Sequence, residues 1–215
     1  MHVQGTEQVL AAMRRVKIPR LLHMSALGAG PKQHTEYYRT KWAAEELVRA
    51  SGLDYTIFRP SLIFGPGDGF ISMLVDQLRF YPVIPIVDKG DYPYALISIH
   101  AVASAFMQAL RLNGITTAKT FELCGPEVLT YTQILDLLTR QMQIRKARVH
   151  LPAGLTRFGI RLLHFLHLPA PLTQDQLSML LQGSVCTEHA ANQVFDLPRI
   201  TMAEGIQEYV YRRKR

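Results

Sequence analysis

Acidic residues, cysteines and long apolar runs are all scarce in this sequence, and each scarcity removes a class of function. The only two cysteines, Cys124 and Cys186, stand far apart without a CxxC, so neither a disulfide framework nor a zinc knuckle is expected. A reducing, cytoplasmic setting fits that usage. His164 and His167 have helical spacing, but no Cys, Asp or Glu lies beside them to complete a ligand set, and no metal site is expected. No uninterrupted apolar stretch reaches the roughly 18 residues of a spanning helix. The opening "MHVQGTEQVLAAMRR" lacks a charged-then-apolar leader, so export is not expected either. Asp and Glu number 17 against 24 Lys and Arg, a net charge of +7 that favours anionic partners such as phosphates or lipid headgroups. The basic residues are scattered apart from the terminal "YVYRRKR", and no nucleic-acid reading module accompanies them, so nucleic-acid binding is not expected.

What is present is enough for a core: 48% of the 215 residues are hydrophobic. Residues 5–15 carry a helical apolar period, and "IPRLLHMSA" is a compact run of strand length. A turn-rich loop, "ALGAGPKQHT", leads to a helix, "EYYRTKWAAEELVRASG", with Glu45 and Arg49 as an i,i+4 pair and Gly52 as a stop. "LDYTIFRPSLIFGPGDG" then reads as a strand running into a Gly/Pro loop. Helix, strand, helix, strand at this spacing predicts parallel βαβ units. Beyond residue 69 the alternation loosens. "FISMLVDQLRF" and "HAVASAFMQALRL" read as helices, and "VIPIV", "YALISI" and "TFELCG" as strands. Thr130 with Gln133, and Thr201 with Glu204, have capping-box spacing. In "PAGLTRFGIRLLHFLHL", Arg157, Arg161 and His164 share one stripe of a mostly apolar helix. That pattern suits either an interfacial helix on an anionic membrane or a core helix with one wet edge, and the core reading is preferred.

Tyr37 and Lys41 are four residues apart and therefore share a helix face. A phenol with a pKa of about 10 is a poor acid or base at neutral pH. An ammonium about 4 Å away, at an effective dielectric near 20, favours the phenolate by roughly 4 kcal/mol, enough to bring the phenol into working range. Ser25 lies at the carboxyl end of the first strand, the edge where open parallel sheets bind ligands. "FRPSLIFGPGDG" delivers a second loop to that edge.

In order along the chain, "VQGTEQVLAAM", "RLLHMSALGAG", "YYRTKWAAEELVRASGLDYTIFRPSLIFGPGDGF" and "FELCGPEVLTYTQILDLL" resemble successive blocks of the extended and atypical short-chain dehydrogenase/reductases. The likeness is greatest to the branch containing bacterial relatives of the nucleotide-binding accessory subunit of respiratory complex I. It implies an α/β fold: a Rossmann-like parallel sheet lacking its first strands, with a smaller mixed, helix-rich lobe. Residues 1–69 would be the partial NAD(P)-binding unit, and 70–215 the remaining sheet elements and the substrate or interaction lobe. By the same resemblance Ser25 orients a carbonyl or hydroxyl and Tyr37 donates or accepts the proton. Lys41 holds the nicotinamide ribose and lowers the tyrosine pKa, and Arg59, Pro60, Ser61, Ile63 and Gly65 border the nicotinamide.

The chain departs from that family in one large respect. A strand and Gly-x-x-Gly-x-x-Gly turn are expected near the start, and the only dense glycine clusters are Gly28-Ala29-Gly30 and Gly65-Pro66-Gly67-Asp68-Gly69. Either the sequence begins late, the preferred reading, or the protein has lost conventional dinucleotide binding. His100 also replaces an expected acidic residue, and the short Ser25-to-Tyr37 loop argues against a nucleotide-sugar pocket. The expected function is an NAD- or NADP-dependent oxidoreductase acting on a small carbonyl or hydroxyl compound. The alternatives are a non-catalytic nucleotide-binding or assembly protein of a respiratory, quinone-linked membrane system, peripheral to the inner membrane, and an inactive fragment.

Overall fold

The computed structural model describes residues 2–165 and 172–212. The His164 side chain, His167 and the end of the basic tail lie outside the described residues. The chain opens with α1 (His2–Val16), β1 (Arg20–Met24), α2 (Glu36–Arg49), β2 (Asp54–Pro60) and β3 (Ile63–Phe64). α3 (Phe70–Phe80), β4 (Val83–Val87), β5 (Pro93–Tyr94), β6 (Ile97–Ser98), α4 (Ile99–Arg111) and β7 (Lys119–Leu123) follow. The remainder is β8 (Leu129–Thr130), α5 (Tyr131–Met142), β9 (Ala147–Leu151), α6 (Ala153–Phe165), α7 (Gln174–Gln182), α8 (Ala191–Val194) and α9 (Met202–Arg212).

The fold is α/β and Rossmann-like, as expected. β1, β2 and β7 form a parallel sheet in that order, with Leu22 opposite Thr56 and Phe58 opposite Phe121. β2 is the middle strand, which is why consecutive residues Ile57 and Phe58 are both fully buried: helices and loops cover both faces of a parallel sheet. On one side Phe58 packs against Phe106, Phe121 and Phe195, and the small face Ala101, Ala105 and Ala109 of α4 approaches closely. A second core joins Leu74 and Leu78 of α3, Ile84 and Ile86 of β4, Ile134 and Leu138 of α5, and Ile206 of α9. Each such fully buried aliphatic side chain contributes about 1.5–3 kcal/mol relative to an exposed one.

Local chemistry explains most boundaries. α2 begins with Glu36 and ends with Arg49, both favourable to the helix dipole, and Gly52 turns the chain at φ +73°. Both arms of the Thr130–Gln133 capping box are formed, and Thr201 and Glu204 exchange hydrogen bonds as expected. "YALISI" is not one strand. Tyr94 pairs antiparallel with Leu129 and Ile97 parallel with Ile63, while the Ala95 amide between them donates to the Ser184 carbonyl at 2.8 Å.

Two expectations need correction. Cys124 and Cys186 are disulfide-bonded, with Cα atoms 6.0 Å apart, because β7 and the segment after α7 meet beside β6. The cysteine argument for a reducing compartment therefore falls. The preferred core reading of α6 also fails. Ile160 is buried against Val87 and Leu177, but most of the helix circumference is exposed.

Gly125 shows how tightly these segments meet, since a Cβ there would overlap the Leu96 carbonyl oxygen. Backbone cannot yield as a flexible side chain can, so Gly125→Ala is expected to destabilise by about 1–3 kcal/mol. A matched pair of urea unfolding curves checks this, and an unchanged midpoint would contradict the packing.

Candidate functional site at the carboxyl end of the parallel sheet

The chain leaving β1 is laid against the end of β2. The Ser25 amide donates to the Phe58 carbonyl at 2.7 Å and the Leu27 amide to the Pro60 carbonyl at 2.9 Å. Ser25 is buried, and its hydroxyl makes no hydrogen bond of ordinary length, although it is near enough to the Glu45 carboxylate to favour the anion; the buried Nε2 of His23 and the buried hydroxyl of Thr35 also lack a partner. Such unspent polar atoms are costly unless something engages them.

Tyr37, in the first turn of α2, is half-exposed and sits edge-on to His2 and Tyr38, at 5.9 and 5.4 Å between ring centroids. Lys41, one turn on, donates from Nζ to the Met24 carbonyl at 3.2 Å and lies 5.9 Å from the Tyr37 ring centroid. Ser25, Tyr37 and Lys41 are thus gathered around the end of β1. Tyr38, the other phenol, is buried against Gly28, whose φ of +95° lets the loop pass over the ring.

The electrostatics differ from expectation. Burial pushes the Tyr37 phenol above its ordinary value. The Lys41 ammonium is hydrogen-bonded to the Met24 carbonyl and lies 5.9 Å from the ring centroid, not hydrogen-bonded to the phenol. Burial also lowers the Lys41 pKa, opposed by the charge of Glu45, and lowers that of His23, with Lys41 adding to the effect.

Ser61 receives its position from two directions. Its amide donates to the Leu123 carbonyl at 2.8 Å, and its hydroxyl donates to the Ser184 carbonyl at 3.0 Å and lies 2.9 Å from the Ser184 hydroxyl. Pro60 ends β2, and Ile63 enters β3 and packs against the α4 side of the core. Arg59 turns instead to the buried Glu45, with Nε at 2.9 Å from one carboxylate oxygen and NH2 at 2.7 Å from the other.

Glu45 is the feature that sequence reading caught only in part. Arg49 reaches it at 2.6 Å, completing a carboxylate held by two guanidinium groups, and both stack on Trp42 at 4.9 and 5.5 Å. Burial drives the Glu45 carboxyl up. The Arg59 hydrogen bonds, the polarity of the Ser25 hydroxyl, the Arg59 charge and the Arg49 hydrogen bond outweigh it, and the net value falls below the ordinary carboxylate range. The i,i+4 spacing revealed Arg49, whereas Arg59 could be placed only by the register of β2 against α2. Asp175 was also missed: its carboxylate accepts the Glu36 amide at 2.9 Å and so fastens α7 to the first turn of α2.

A nicotinamide dinucleotide fits part of this chain. At the β1 edge the buried Ser25 hydroxyl, Tyr37 and Lys41 suit a nicotinamide ribose and its reacting partner. A pyrophosphate does not fit the glycine clusters. The Gly65–Gly69 loop leads into α3, but the Asp68 carboxylate already accepts the Ile71 and Ser72 amides there, at 2.8 and 3.1 Å, and would repel an anion. Among the described residues no group of His, Cys, Asp and Glu is placed to hold a metal ion, and no helix is long and apolar enough to cross a membrane.

Residues 2–73 match a family described as NAD(P)H-binding. The mitochondrial NADH-ubiquinone oxidoreductase 40 kDa subunit of Neurospora crassa is 28% identical over 152 residues, which cover 71% of this chain and 39% of that protein. In Arabidopsis thaliana the mitochondrial NADH dehydrogenase (ubiquinone) 1 alpha subcomplex subunit 9 is 27% identical over 188 residues, covering 86% and 47%. The chain thus spans less than half the length of these curated relatives. Among solved structures, UDP-glucuronic acid 4-epimerase from Bacillus cereus in complex with NAD superposes with a TM-score of 0.75 at 14% identity, covering all of this chain and 68% of that one. That likeness speaks for the fold alone. Over residues 2–73 the chain is thus similar to an NAD(P)H-binding family, and over most of its length to subunits of mitochondrial NADH-ubiquinone oxidoreductase.

Proposed function

We propose that the protein is an NAD- or NADP-dependent oxidoreductase acting on a small carbonyl or hydroxyl compound. One observation carries the reading. The buried Ser25 hydroxyl stands one residue from the carbonyl that takes Lys41, and Lys41 lies over the ring of Tyr37. A nicotinamide dinucleotide bound at this edge would supply the hydride chemistry. Ser25 donates a hydrogen bond to the substrate oxygen, and Tyr37 moves a proton to or from it. Lys41 releases the Met24 carbonyl, holds the ribose, and brings its positive charge to the phenol. Pro60, Ser61 and Ile63 close the nicotinamide side, with Ser61 fixed by Ser184. Because the phenol is raised without ligand, the tuning of Tyr37 belongs to the loaded state.

Tyr37→Phe is expected to reduce turnover about a hundredfold or more while leaving NADPH fluorescence titration unchanged, since proton transfer is lost and the cofactor contacts remain. Unchanged turnover would remove Tyr37 from the chemistry.

A second reading is favoured by the named relatives, both subunits of a respiratory enzyme. In it the dinucleotide is structural, and the chain is an assembly protein peripheral to the inner membrane. Tight NADPH binding with no turnover on any carbonyl substrate would choose it.

A further inference from the structure

α6 exposes an apolar stripe. Leu155, Phe158, Leu162 and Phe165 are each between 45% and 78% exposed. At 3.6 residues per turn they fall within about 80° of arc, while the buried Ile160 lies on the opposite side of the helix. The inner face is held to α7, where the Gln174 side chain donates to the Arg157 carbonyl at 2.8 Å. Four large apolar side chains on one outward face cost solubility and add nothing to the core.

The charged side chains of α6 itself are all positive, while the Asp88 carboxylate accepts the Ala153 amide at the start of the helix and Asp136 pairs with Arg148. Arg157 and Arg161, both exposed, border it along one edge, and the described part of α6 carries no acidic residue. β9, the strand that runs into α6, opens beside a hollow of about 500 Å³ lined by Arg140, Arg145, Lys146 and Arg148. Further exposed apolar groups lie along the β4–β9 pair towards its end remote from α6: Phe80 and Tyr81 precede β4, Val83 opens it opposite Ala147, and Val149 lies on β9. An apolar strip edged by arginines, on a chain of net charge +7, is complementary to a surface that is apolar inside and anionic outside.

We infer that α6 is a membrane-docking helix. Its Leu155–Phe158–Leu162–Phe165 face enters the interfacial layer of an anionic phospholipid bilayer, and Arg157 and Arg161 pair with the headgroups. The inference does not rest on the oxidoreductase reading, because α6 contributes nothing to the Ser25–Tyr37–Lys41 cluster. Arg side chains near such a surface each add about 1 kcal/mol.

The test is co-sedimentation of the 215-residue chain with phosphatidylcholine vesicles, with and without phosphatidylglycerol. Retention is expected on the anionic vesicles, weak retention on the neutral ones, and a decline as salt is raised. Phe158→Asp with Leu162→Asp should abolish retention. Arg157→Ala with Arg161→Ala should weaken it roughly ten- to thirtyfold. All four positions are exposed, so circular dichroism is expected to be unchanged, and the arginine pair gives an independent reading if the aspartates perturb the helix. No retention on anionic vesicles, or retention that survives both double variants, would overturn the inference. So would a dimer in sedimentation velocity that the aspartate variant dissociates while vesicle binding persists, because the occupant of the face would then be a second copy of the chain.

Discussion

Glu45→Ala is expected to destabilise the protein by about 3–5 kcal/mol, because removing one member of a buried ionic cluster strands the others. The two guanidinium groups keep some water, with Arg49 27% and Arg59 18% exposed, which places the loss near the lower end. The cluster also joins α2 to β2, so the change loosens the helix that carries Tyr37 and Lys41. The pH dependence has a defined sign. Glu45 has its pKa lowered in the folded state from an ordinary 4.5, so its contribution is complete above the unfolded value and is lost as pH falls through the folded one. Urea unfolding at neutral pH and at pH values below 4.5 should show a steep acid loss in the parent chain, and a shallower one in Glu45→Gln. Equal acid slopes would mean that Glu45 is not the titrating group.

Reduction of the Cys124–Cys186 bond is expected to cost about 4 kcal/mol, the chain-entropy value for a loop of 62 residues. The cost is not confined to the unfolded chain. Cys186 stands two residues from Ser184, which takes hydrogen bonds from Ala95 and Ser61 and donates to the Pro93 carbonyl at 2.8 Å. Releasing the sulfur therefore frees the segment that fixes Ser61. Dithiothreitol should lower the urea midpoint of the parent chain and leave that of Cys124→Ser with Cys186→Ser untouched. Identical midpoints with and without reductant would show that the bond does not form in solution.

The sequence was legible where the structure is local. Glu36, Arg49 and Gly52 bound α2, the Thr130 and Thr201 caps open their helices, and the apolar run before Ser25 is a strand whose end meets the Tyr37 helix. Misreadings arose where long-range placement decides. Nothing in the spacing of Cys124 and Cys186 reveals that β7 and the post-α7 segment meet. The exposure of α6 depends on α7 covering only the Ile160 side, so a helix apolar around most of its circumference looked internal. Tyr37 and Lys41 do share a helix face, but that fact does not say where the ammonium is spent: the Met24 carbonyl, on a different element, takes it. Arg59 belonged to a recognisable loop, yet the nearest buried anion is Glu45.

The order β1-β2-β7 has a consequence for how the chain acquires its structure. Thr56 of β2 meets Lys119 of β7, and Val83 of β4 meets Ala147 of β9, so both parallel pairings await segments made long afterwards. At roughly 5–20 residues per second of synthesis, the second edge of β2 stands open for several seconds with Ile57 and Phe58 incompletely covered. Such non-local pairing is intrinsically slow and leaves aggregation-prone intermediates. The nascent β1–α2–β2 unit, which already carries Ser25, Tyr37 and Lys41, is therefore a natural client for a chaperone before it can be anything else.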